Sequence, residues 1–151
     1  MGTWLMLSLF FAAHICSVDA ARPQSSDLVG RWKIDITFQN ESKHSLRFDV
    51  DDSGAGSLLL EPRSNWDEPA KPSQAKWTVG KDKRVTILGP AEFPIGNVGR
   101  ETGVLVFKGS FKSASKITGD IAFFSMDQDP MDPKATPSKT GKFEATRIGA
   151  N

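Results

Sequence analysis

The sequence predicts an all-β fold, a single antiparallel up-and-down β-barrel of about eight strands. Three observations carry this. Apolar and polar residues alternate with a period of two from Gly30 onward, no segment holds a 3.6-residue apolar period long enough for a packed helix, and 151 residues match the length of one domain. Closure into a barrel is favoured over an open sheet because it removes exposed strand edges.

The first element precedes the barrel. Residues 4–15 form an apolar run interrupted only by Ser8 and His14. The run is too short to span a bilayer, and the small residues around Val18-Asp19-Ala20 suit signal-peptidase cleavage. The expected division is a signal peptide over residues 1–20 and a barrel domain over residues 21–151, with the mature protein secreted or periplasmic and free of any integral membrane segment. Cleavage removes Cys16, the chain's one cysteine, so disulfides and thiolate zinc sites are excluded from the mature chain. N-terminal sequencing of mature protein is expected to start after Ala20; recovery of Met1 would contradict the export reading.

The first strand opens at Gly30, with Trp32, Ile34, Ile36 and Phe38 apolar and Lys33, Asp35, Thr37 and Gln39 polar between them. Further strands are expected over 44–50, 56–61, 75–80, 84–88, 103–111, 116–125 and 141–148, each bounded by Gly, Pro, Asn, Asp or Ser. Strand parity then points Leu46, Phe48, Leu58, Leu60, Trp77, Val79, Val85, Ile87, Leu105, Phe107, Phe111, Ile117, Ile121, Phe123 and Phe143 inward. In an up-and-down order the short turns 51–55, 81–83 and 112–115 fall at one end. The long connections 62–73, 89–102 and 126–140 fall at the other, together with residues 40–43. Long loops gathered at one end are the strongest functional pointer in the sequence.

At Gly30-Arg31-Trp32 the chain resembles the G-x-W opening of lipocalin-like (calycin) barrels, and Ala145-Thr146-Arg147-Ile148-Gly149 resembles their closing strand, nearest in wording to avidins. The resemblance implies that Arg147 packs over Trp32 as a structural pair at the closed end, and parity agrees, turning Arg147 inward beside the start of the first strand. Biotin binding is not carried over, because the inward list offers no hydrogen-bond donor except an indole.

Other motifs reduce to local structure. Asp49, Asp51, Ser53 and Gly54 begin like a calcium loop, but Leu60 stands where the bidentate glutamate belongs, and the segment reads as a hairpin turn. Asp127, Asp129 and Asp132 read as a solvated acidic loop. Asn40-Glu41-Ser42 is a glycosylation triplet whose use depends on the host. No metal or cofactor is expected. With 19 basic and 18 acidic side chains the chain carries no nucleic-acid footprint. Parity places no inward Asp or Glu on any expected strand, so catalysis is not expected.

Two readings stand. One is a non-catalytic binding or interaction module whose long-loop end contacts an extracytoplasmic protein or polysaccharide. The other is a carrier of a small apolar or amphipathic ligand in a lipocalin-like cup. The candidate residues are Trp66, Phe93, Asn97, Arg100, Asp129 and Lys134 on the loops, with Phe38 and Phe123 on the barrel wall beneath them. Whether side chains fill the interior separates the readings, since an eight-stranded barrel is just wide enough for either.

Overall fold

The computed structural model describes residues 25–60, 71–95 and 99–149. After a short 3-10 helix, Ser25–Leu28, eight strands follow: β1 Gly30–Phe38, β2 Lys43–Val50, β3 Gly56–Leu60, β4 Ser73–Val79, β5 Arg84–Ile95, β6 Gly99–Ser113, β7 Lys116–Ser125 and β8 Lys139–Gly149. Each strand pairs antiparallel with its sequence neighbour, and β8 returns to β1, which closes the barrel. The fold class is the expected one.

Alternation explains the interior. Trp32, Ile34, Ile36 and Phe38 on β1 are buried while Arg31, Asp35 and Thr37 are exposed. Every residue assigned inward by parity lies in the core or packs against it, with Leu60, Trp77, Val79 and Phe111 only partly buried. The aromatic rings are spaced along the interior. Phe111 meets Trp32 edge-on near the closed end, and Phe107 and Phe143 cross at 5.2 Å in the middle. Small residues make room for these rings. A Cβ on Gly103 would lie 2.2 Å from the Phe124 carbonyl oxygen and 2.5 Å from the Phe123 ring, so only glycine fits where β6 passes that ring.

Two strands depart from expectation. Residues 89–102 were expected to form a long loop, but β5 continues to Ile95 and β6 begins at Gly99, paired from Gly89↔Leu105 out to Ile95↔Gly99. Gly89, Pro90 and Pro94 look like strand breakers in sequence. The Ser73 hydroxyl donates to the Pro90 carbonyl at 2.8 Å, so the backbone edge lacking an N–H faces the β4 side. The ladder to β4 ends at Leu88, so proline there removes no ladder bond.

The closed end is sealed by hydrogen bonds. Arg147 stacks over Trp32, its guanidinium carbon 4.4 Å from the ring centroid. Its nitrogens donate to the carbonyls of Asp27, Val29 and Ala114. The Trp32 indole donates to the Leu28 carbonyl at 2.9 Å, and Leu28 is fully buried as the plug. Gly30 has a φ of 125°, and a Cβ there would stand 2.7 Å from an Arg147 nitrogen, which accounts for the glycine of the opening motif. Arg147→Ala is expected to cost about 1–3 kcal/mol by denaturant unfolding, through lost packing and uncapped carbonyls, with no effect at the opposite end.

The turn after β2 is held by Asp51, whose carboxylate accepts from the Ser53 hydroxyl, the Ser53 amide and the Ala55 amide. These bonds, the Ser53 hydroxyl foremost, pull its pKa below the ordinary carboxylate range. A lowered folded pKa stabilises above the unfolded value, about 3.9, and the contribution is lost as pH falls through the folded one. The stability gap between wild type and Asp51→Asn is therefore expected to narrow below about pH 4; a gap that widens on acidification would contradict the assignment.

Candidate functional site

The opposite end is built differently. At the rim, Phe38 closes β1, His44 stands second in β2, Phe93 projects from β5 and Phe123 rises from β7. Their rings form one cluster: Phe93 lies 5.9 Å from Phe38, 4.5 Å from His44 and 5.4 Å from Phe123. Phe93 is 2% exposed although it sits beyond the last β4 pairing. The expectation of Phe93 as a loop residue is thus corrected: it belongs to β5. Parity along β5, from Val85 through Ile87, Gly89 and Ala91, turns Phe93 over the mouth, where burial of its ring outweighs exposure at a hairpin tip.

Beside this cluster stands an ion pair that the sequence expectation missed. Lys139 on β8 pairs with Glu101 on β6, and its ammonium lies 5.6 Å from the Phe123 ring centroid. Both side chains are partly shielded, 32% and 24% exposed. Their parity is inward, Glu101 in step with Gly103 and Leu105, Lys139 in step with Gly141 and Phe143. An inward carboxylate therefore exists at the rim, contrary to expectation. The signal is in the sequence, since the period of two continues past Gly103 and Gly141, but a glycine at each of these positions signals a strand end.

The remaining candidates separate. Arg100 is exposed on β6 and pairs with Glu92 at 3.2 Å, on the outer side of the hairpin. Asp129 and Lys134 lie exposed on the β7–β8 connection. The Asp129 carboxylate accepts from the Met131 amide at 2.8 Å and the Lys134 amide donates to Asp132 at 2.9 Å, so this acidic loop uses its carboxylates to make its own turns. Trp66 and Asn97 fall outside the described residues. The structure therefore brings together Phe38, Phe93 and Phe123, adds His44, Glu101 and Lys139, and leaves Arg100, Asp129 and Lys134 apart from them. Trp32 and Arg147 stand at the other end.

A concavity of about 570 Å³ lies on the outer wall beside the β7–β8 connection, floored by Val106, Ala122 and Phe124 and edged by Lys108, Asp120 and Pro130. Val106 and Phe124 are nearly buried there although parity turns them outward. Among the described residues no group of three His, Cys, Asp or Glu side chains is placed to hold a metal ion, and no helix is long and apolar enough to cross a membrane.

No family model matches the chain, and no curated protein matches it in sequence. Among solved structures it is similar to that of EF1p2_mFAP2b bound to DFHBI, at 12% identity over 82% of this chain and 94% of that one, with a TM-score of 0.47.

Proposed function

We propose that the protein is an exported, non-catalytic binding module of lipocalin-like type whose binding surface is the open, long-loop end of the barrel. The observation that carries this reading is the asymmetry of the two ends. One is locked by the Arg147 guanidinium bonded to three backbone carbonyls. The other, among the described residues, is covered by the Phe93 ring on rungs of the β5–β6 hairpin that no third strand flanks. At the sealed end the Arg147 guanidinium is committed to backbone carbonyls, whereas the rim combines apolar rings with a shielded ion pair, the mixture typical of small-ligand sites. Export rests on the apolar run and small residues of the leader. The G-x-W opening and the arginine of the last strand support the lipocalin-like assignment.

The test is a fluorescence titration of the mature chain with 8-anilinonaphthalene-1-sulfonate as an amphipathic probe. Saturable one-to-one enhancement is expected, weakened roughly tenfold by Phe123→Ala, a loss of about 1.4 kcal/mol, and unchanged by Arg147→Lys. Enhancement that survives Phe123→Ala but disappears with closed-end substitutions would contradict the reading, as would the absence of saturable binding.

A further inference from the structure

The rim cluster has the form of an occupied site. β5 and β6 carry four rungs, Glu92↔Thr102, Phe93↔Glu101, Pro94↔Arg100 and Ile95↔Gly99, that lie outside the ladders to their other neighbours. The β4 ladder ends at Leu88 and the β7 ladder at Gly103. Two described side chains of this arm reach the barrel. Phe93 places its ring against Phe38, His44 and Phe123, and Glu101, its partner across the ladder, places a carboxylate on Lys139. The receiving groups belong to other strands: Phe38 to β1, His44 to β2, Phe123 to β7 and Lys139 to β8, with Phe123 and Lys139 themselves paired in register.

We propose that this rim is a binding site for a small aromatic carboxylate, which enters by displacing the β5–β6 arm and takes over the contacts of Phe93 and Glu101. The proposal rests on the open end being the binding end and adds the ligand class. An aromatic ring is required because the slot is walled by aromatic rings that hold Phe93 edge-on or tilted, a geometry that aromatic pairs prefer. A carboxylate is required because withdrawal of Glu101 leaves the Lys139 ammonium half-shielded over Phe123, where an uncompensated charge is costly and an anion restores the pair. Internal occupancy lowers the apparent affinity by the fraction of molecules with the arm open, so weakening the arm strengthens binding.

The experiment compares 1-naphthoate with its uncharged isostere 1-naphthamide by isothermal titration on the mature chain, using wild type, Phe93→Ala, Phe123→Ala, Glu101→Gln and Lys139→Met. Glu101→Gln sits at the rim and keeps side-chain shape, so it tests the idea even where Phe93→Ala loosens the fold. Naphthoate is expected to bind more tightly than naphthamide. Phe93→Ala is expected to tighten both roughly tenfold and Glu101→Gln to tighten naphthoate alone by a similar factor. Lys139→Met is expected to abolish the preference for the acid. Equal binding of the two compounds throughout, with Phe123→Ala still weakening both, overturns the ligand class and leaves the open end as the binding surface. Binding of neither compound to any variant overturns the site itself.

Discussion

Trp32→Ala is expected to lower the unfolding free energy by about 3–5 kcal/mol, the largest loss from any single truncation at the closed end. Trp32 is fully buried, and three kinds of interaction end with its removal. Its ring fills the bottom of the barrel against Phe111, its indole N–H no longer bonds the Leu28 carbonyl, and the Arg147 guanidinium loses the face it lies on. The Leu28 carbonyl beside a new cavity adds the cost of a buried acceptor without a partner. Chemical denaturation measures the loss. A change below about 1 kcal/mol would mean that the 3-10 segment and Arg147 seal this end without the indole.

Gly103→Val is expected to be comparably severe, costing about 3 kcal/mol or more. The first side-chain atom already collides with the Phe124 carbonyl oxygen and with the Phe123 ring. The carbonyl belongs to the β6–β7 ladder and does not move without breaking it. The ring is fixed between Phe93 and the barrel wall. Because the damage falls on Phe123, this variant is also expected to lose affinity for an amphipathic probe, which Trp32→Ala retains as long as it stays folded. The pair of variants thus separates a stability effect at one end from a combined effect at the other.

The reach of the sequence differs from element to element. β7 is delimited at both ends because Lys116–Ser125 lies between turn residues, with Ile117, Ile121 and Phe123 on the inward parity. Within the expected strand bounds the inward apolar set is legible, because a slip of one residue would expose all of it. The Arg147 and Trp32 pairing followed from parity plus antiparallel closure. The β5–β6 arm was not legible, because Pro90, Pro94 and the glycines at 89, 99 and 103 signal a loop in any local reading. Their tolerance in a strand depends on a free edge, which is a property of the neighbouring β4 rather than of the residues themselves. That departure moves Phe93 from loop to wall and reveals Glu101, while the extension of β8 past Gly141 reveals Lys139. Burial of Val106 and Phe124 on the outer wall was likewise invisible to alternation.

The account stands most directly on where a ligand is felt. Amide chemical shifts of the isotope-labelled mature chain, followed during titration with 8-anilinonaphthalene-1-sulfonate, report this residue by residue. The account predicts that the largest shifts fall at Phe38, His44, Phe93, Glu101, Phe123 and Lys139, while Trp32, Arg147 and the turn at residues 51–55 stay unmoved. Shifts centred on the closed end, or on Val106 and Phe124 of the outer wall with the rim silent, would contradict it.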